Sequence, residues 1–179
     1  MKLTTSRLII RPFREEDLND FNQYASNADV GPMAGWRPHA DLAESKAILD
    51  SFIKQQEVFA LYHIADQKVI GSIGLHLDLN RDPKLAREIG YVLSKPYWGR
   101  GLMVEAVQAI LAHAFLELKL QIVSIRHFPF NNQSKRVIEK CGFQYEGYLR
   151  KAYIRYDNQV LDSVVYSLTQ EEYLANRGQ

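Results

Sequence analysis

The sequence predicts one α/β (α+β) domain over residues 1–179, built on a mixed, mostly antiparallel, twisted sheet of about seven strands flanked by helices. Three observations carry this expectation. Short apolar segments rich in strand formers alternate with stretches where apolar residues recur at helical spacing. Brief polar turns such as Asp66-Gln67-Lys68 join consecutive strand-like segments, which calls for antiparallel pairing. Between Arg87 and Phe128 the order is strand, helix, strand, which calls for a parallel pair with a right-handed crossover.

The elements follow in order. Leu8 to Pro12 reads as a short strand closed by Pro12. From Glu15 to about Asn27, Leu18, Phe21 and Tyr24 recur at a helical interval behind an acidic first turn. Gly31 to His39 is a loop, broken by two prolines and two glycines. Asp41 caps a helix running to about Gln56, with Leu42, Ile48, Leu49, Phe52 and Ile53 as its apolar positions. Val58 to Ala65 and Val69 to Leu79 form a hairpin, and Asn80 to Lys84 turns the chain into a strand ending near Leu93. A helix from Gly101 to about Leu118 carries Val107, Ile110, Leu111, Ala114, Phe115 and Leu118 on one face. Ile122 to Phe128 is a strand, and Gln133 to Cys141 a short helix stopped by Gly142. Phe143 to Arg155 and Val160 to Leu168 are two further strands, and Glu171 to Asn176 adds a final turn.

Composition removes several function classes. A hydrophobic fraction of 46% against 24% charged residues suits a globular chain with a sizeable core. A net charge of +1 supplies no electrostatic case for nucleic acid or membrane partners. The single cysteine, Cys141, forms no internal disulfide and no zinc site alone, which fits a reducing cytosol. Met1 to Ser6 leads into polar sequence and not into a signal peptide's apolar region, and no apolar run reaches the ~20 residues of a membrane span, so the expected location is the cytoplasm. The five histidines lack metal-ligand spacing, and no metal is expected.

Chemistry concentrates in Pro96-Tyr97-Trp98-Gly99-Arg100-Gly101-Leu102-Met103-Val104, at a strand-to-helix junction. Two glycines two apart let the backbone approach a ligand and aim its N–H groups outward. The following helix contributes the positive end of its dipole, and Arg100 a full charge. The pattern is a phosphate cradle, or else a tight turn that starts a helix. It has neither the Lys-Ser or Lys-Thr of a nucleotide P-loop nor the third glycine of a dinucleotide fingerprint. Asn131 and Ser134 likewise have two readings, ligand contact or capping of the helix that follows.

The chain resembles the GNAT superfamily of acyl-CoA-dependent N-acyltransferases, and within it the branch of the ribosomal-protein N-terminal acetyltransferases RimJ and RimL. Four ordered blocks carry the resemblance: Thr5 to Pro12; Ala86 to Leu93 with Trp98-Gly99-Arg100-Gly101; Asn131 to Phe143; and Asp162 to Leu168. The resemblance implies a GNAT-like fold with acetyl-CoA as cosubstrate. It implies a coenzyme A pyrophosphate site at the amides of Gly99, Arg100, Gly101, Leu102, Met103 and Val104, beside Val92 and Leu93. Met103 departs from the small residue usual at its position. Asn131 and Ser134 match an Asn-x-x-Ser pattern that contacts the pantetheine arm. Glu88 matches the general-base position, acting through a water, with a surface ion pair to Arg87 or Arg81 as its plain alternative. The Val92 N–H, four residues on, is expected to meet the oxyanion. Many relatives carry a thiolate-protonating tyrosine where this chain has Ile138; the resemblance to the RimL-like branch then offers Ser134 as the acid, the alternative being a thiol of pKa ~8.5 that leaves largely unaided.

Cys141 is expected to be a small buried residue and not a nucleophile, so direct transfer in a ternary complex is preferred to ping-pong. His76 and His127 lie on strands where they can edge a substrate groove. Trp36, Arg37 and His39 are the candidate acceptor-binding residues. The expected function is transfer of acetyl from acetyl-CoA to a peptide or protein N-terminal α-amine, by a monomer or homodimer. The alternatives are a small-amine acetyltransferase, acting on a polyamine, amino acid or aminoglycoside, and a non-catalytic acyl-CoA sensor.

Overall fold

The structure is a computed structural model that describes residues 1–177; the last two positions of the expected domain lie outside the described residues. Its strands are β1 (Leu3–Thr4), β2 (Leu8–Pro12), β3 (Val58–His63), β4 (Lys68–Leu77), β5 (Ala86–Leu93), β6 (Ile122–His127), β7 (Gln144–Ile154) and β8 (Val160–Thr169). Its α-helices are α1 (Leu18–Ala25), α2 (Gly31–Ala34), α3 (Leu42–Gln55), α4 (Leu102–Ala112), α5 (Asn132–Lys140) and α6 (Gln170–Arg177). The hydrogen-bonded order is β1-β2-β3-β4-β5-β6-β8-β7; β5 pairs with β6 in parallel, and β1 with β2, β2 with β3, β3 with β4, β6 with β8 and β8 with β7 are antiparallel. The eighth strand, beyond the seven expected, is the two-residue β1, too short for any alternation to announce it. The chain divides into two compact units, Met1–Gly74 with Tyr91–Ala106, and Leu75–Gly90 with Val107–Gln179.

In the first unit, the apolar positions of α1 and α3 meet the inward positions of β3 and β4. Phe13, Phe21, Tyr24, Ala25, Val30, Leu49, Ala60 and Val69 form the core, with Trp36, Phe52, Val92 and Trp98 packed against it. Phe21 meets Phe13, Tyr24 and Phe52 edge-on at 5.4–5.8 Å between ring centres, a geometry that suits aromatic quadrupoles. The entry to α1 is fixed electrostatically: Arg11 grips buried Asp17 with two hydrogen bonds of 2.7 and 2.8 Å, and Asp17 also accepts from the Arg14 N–H at 2.9 Å. Asp41 caps α3 as expected, accepting from the Glu44 N–H at 2.8 Å. The expected loop from Gly31 to His39 contains the short helix α2, because Pro32 suits a first helical turn and Gly35, at φ +94°, ends it. Leu42, expected on the apolar face of α3, is 45% exposed.

In the second unit, β5 runs parallel to β6 with Glu88 opposite Ser124 and Ile89 opposite Ile125, and β6 pairs antiparallel with β8 and β8 with β7. Val107, Ile110, Leu111, Ala114 and Phe115 are fully buried, as the helical spacing requires. Leu118 is 48% exposed. The reason is a π turn over His113–Glu117, in which the Leu118 N–H reaches back to the His113 carbonyl at 3.0 Å. The wider turn rotates the following residue off the buried face. Gly142, at φ +85°, follows α5 in the left-handed conformation expected of a stop signal.

Candidate active site

The glycine turn belongs to the first unit. From Leu93 the chain passes through a 3-10 turn at Lys95–Tyr97 and then Trp98, and Gly99 and Gly101 both adopt left-handed backbone, φ +72° and +75°. Only glycine takes two such positions cheaply, and the result is a run of amides leading into the N-terminus of α4. A Cβ built on Gly99 meets nothing within 4 Å, so that side of the turn has room for a ligand. Trp98 packs on the core and donates its Nε1–H to the Leu93 carbonyl at 2.6 Å, which ties the turn to the end of β5. Leu102 and Met103 are buried, so the Met103 side chain points into the core while its amide stays at the helix start.

Arg100 lies over the Tyr97 ring, 5.2 Å from its centre. The Tyr97 phenol donates to Asp66 at 2.6 Å, and burial together with that bond pushes its pKa up to about 12. Farther up the strand, Gly71 on β4 faces Val92; a Cβ there falls 2.4 Å from the Val92 carbonyl oxygen, so glycine is required for this close approach.

Trp36, Arg37 and His39 are also in the first unit, and each has a structural partner. Trp36 rests on the core and lies against Gly31, whose added Cβ falls 2.7 Å from the indole. Arg37 pairs with Glu44 at 2.6 Å. His39 is buried, with Nδ1 2.8 Å from Ser45 Oγ; the Ser45 hydroxyl donates its hydrogen bond to Asn22 Oδ1 at 2.8 Å, so the ring is the donor to Ser45. Burial holds the His39 pKa below its ordinary value.

In the second unit, Glu88 projects from β5 and pairs with Arg126 on β6. Neither Arg87 nor Arg81 is its partner. Arg87 donates to the carbonyls of Pro83 and Ala86, and Arg81 bridges Asp78 at 2.6 Å and Glu146 at 2.5 Å. Asn131 caps α5, its Oδ1 accepting from the Ser134 N–H at 3.0 Å, so the capping reading holds for Asn131, while Ser134 takes part through its backbone. Ser134 is buried in the first turn of α5, and Ile138 is fully buried one turn later, where it offers no proton. Cys141 is buried, which pushes its thiol up to about 12. His127 is buried, stacked on Tyr166 and bonded to the Phe128 carbonyl at 2.8 Å, while His76 lies against Gly90.

Two features escaped the sequence reading. Arg126 is the partner of Glu88; the alternation of Ser124 and Arg126 with Val123 and Ile125 signals a shared face, but only the β5–β6 register brings that face beside Glu88. Buried Asp78 gathers Ser124 Oγ at 2.7 Å, Arg81 and the Asn80 N–H, and these bonds outweigh burial and hold its pKa below the usual carboxylate range.

Comparison with known proteins decides the family. The Acetyltransferase (GNAT) domain matches residues 7–144. The chain belongs to the GNAT acetyltransferase family. It is similar to the uncharacterized N-acetyltransferase p20 of Bacillus licheniformis, 29% identical over 96% of this chain and 97% of that protein. It is also similar to the [ribosomal protein uS5]-alanine N-acetyltransferase of Escherichia coli K12, 26% identical over 99% and 95% of the two chains. A GNAT-family acetyltransferase structure from Bacillus anthracis superposes with a TM-score of 0.87 at 28% identity, covering 96% of this chain and all (100%) of that one. This GNAT enzyme is therefore an N-acetyltransferase of α/β fold, and enzymes of the family use acetyl-CoA. No group of three or more potential metal-ligating side chains occurs among the described residues, and no described helix is long and apolar enough to cross a membrane.

Proposed function

We propose that this GNAT enzyme transfers an acetyl group from acetyl-CoA directly to the α-amine of a protein or peptide N-terminus. The observation that carries the cofactor half is the pair of left-handed glycines, Gly99 and Gly101, opening α4 with free space beside Gly99. In this reading the amides of Gly99 to Val104 hold the pyrophosphate, with Val92 and Leu93 at the strand end beside them, and Asn131 and Ser134 contact the pantetheine arm. Acetyl-CoA supplies the activated acetyl thioester. Glu88 removes a proton from the acceptor amine through a water, the Val92 N–H donates to the acetyl carbonyl oxygen, and Ser134 protonates the departing sulfur.

The acceptor half rests on the likeness to the E. coli uS5-alanine enzyme and on proton energetics. A free α-amine titrates at about 7.7–8.0 and a lysine amine at about 10.4, so a water-mediated carboxylate base suits the former. Trp36, Arg37 and His39 remain the proposed acceptor-side residues, acting from a loop held rigid by Gly31, Glu44 and Ser45. The test is thiol release from acetyl-CoA with two acceptor panels, ribosomal-protein N-terminal peptides and small amines. Turnover confined to the peptides is the expected result. Turnover confined to polyamines, amino acids or aminoglycosides contradicts the acceptor, and acetyl-CoA binding without turnover on any amine makes the chain a sensor.

A further inference from the structure

A backbone phosphate cradle works only if its carbonyl oxygens are turned away from the anion and held there. In this turn the Arg100 carbonyl is engaged by the side chain of Arg7, whose NH1 donates to it at 2.9 Å. The same guanidinium donates through Nε to Glu105 Oε2 at 2.7 Å. Glu105 is on the first turn of α4, and its own N–H donates to the Gly101 carbonyl at 3.1 Å. Its Oε1 collects the Thr5 hydroxyl at 2.6 Å, the Arg7 N–H at 2.9 Å and the Ser6 hydroxyl at 3.0 Å. A closed circuit results: Arg7, Arg100 carbonyl, Gly101, Glu105 and back to Arg7. Arg7 NH2 also lies 3.7 Å from the position of a Cβ on Gly101, so the guanidinium lines one side of the turn.

Magnitudes separate two roles for this circuit. The Arg7 side chain is 46% exposed, and an ion pair in that setting contributes little to global stability. What the pair does restrain is local, because two of its bonds end on the turn and its helix. We infer that Arg7 and Glu105 are positioning residues for the cofactor, bracing the Gly99–Gly101 turn from outside so that its amides face the pyrophosphate of coenzyme A. The segment Thr5 to Arg7, remote in sequence from the turn, thereby becomes part of the cofactor site. This rests on the reading of the turn as the pyrophosphate cradle.

The experiment compares wild type with Arg7→Gln and Arg7→Lys using two acetyl donors, acetyl-CoA and S-acetyl-pantetheine, which lacks the pyrophosphate. Arg7→Gln is expected to raise KM for acetyl-CoA roughly tenfold, the size of one charge-assisted hydrogen bond, with kcat at saturation unchanged. Arg7→Lys keeps the charge but cannot bridge a carbonyl and a carboxylate at once, so it should recover only a small part of the loss. Turnover with S-acetyl-pantetheine should be the same in all three proteins. Thermal unfolding of the variants within a few degrees of wild type establishes that folding is intact, and Glu105→Gln should reproduce the acetyl-CoA effect. An unchanged KM in Arg7→Gln, full rescue by lysine, or equal losses with both donors overturns the brace. Failure of wild type to bind acetyl-CoA overturns the cradle and the brace together.

Discussion

Glu88 sits beside Arg126 on the neighbouring parallel strand, so the proposed base is held in a fixed orientation by a cation on the same sheet face. Glu88→Gln preserves the size of the side chain and a hydrogen-bonding oxygen for Arg126 while removing the base. It is expected to lower kcat/KM about 100-fold near neutral pH, within the ordinary contribution of a positioned general base. The deficit should shrink above about pH 8, where an α-amine loses its proton unaided. A pH–rate profile of the variant against wild type checks this; equal rates and equal pH dependence would remove Glu88 from the role. The partner itself was hidden at the sequence level. Arg87 and Arg81 are nearer in sequence, yet each is spent elsewhere, and Arg126 becomes adjacent only through the register that sets Glu88 opposite Ser124. Asn131 was legible as a helix cap from its residue type and place, and the structure shows that capping bond.

Among the elements, β4, β5 and the turn into α4 depend on glycine at two kinds of place. Gly99 and Gly101 supply backbone conformation, whereas Gly71 supplies space against the Val92 carbonyl. Gly71→Ala puts a methyl 2.4 Å from that oxygen, and backbone cannot yield as a flexible side chain would. The expected cost is about 1–3 kcal/mol of unfolding free energy, read as a lowered denaturant midpoint with an unchanged slope. Elements whose signals are local were readable in the chain: the Asp41 cap, the Gly142 stop, the strand–turn–helix at Gly99 and the buried run from Val107 to Phe115. The π turn that exposes Leu118 was not, because a widened turn preserves composition and alters only the hydrogen-bond partner. Helix α2 was masked by Gly31 and Pro32 within it and Gly35 at its end, which mark a loop as readily as a short capped helix.

For the whole molecule, the family was legible because the blocks that carry it, the glycine turn among them, are features of contiguous sequence. The acceptor end was not, because Trp36, Arg37 and His39 are shaped by partners scattered through the chain, from Asn22 to Ser45. The same residues that suggest a binding loop are engaged in holding that loop together, so acceptor identity rests on similarity and on amine chemistry. The central claim, that this GNAT acetyltransferase holds acetyl-CoA at the glycine turn, is most directly tested by thermal unfolding with and without the ligand. At a concentration about 100 times its dissociation constant, acetyl-CoA should add about 2.7 kcal/mol to the folded state. For a chain of this size that raises Tm by roughly 5–10 °C. An unfolding temperature that does not move at any acetyl-CoA concentration would contradict the account.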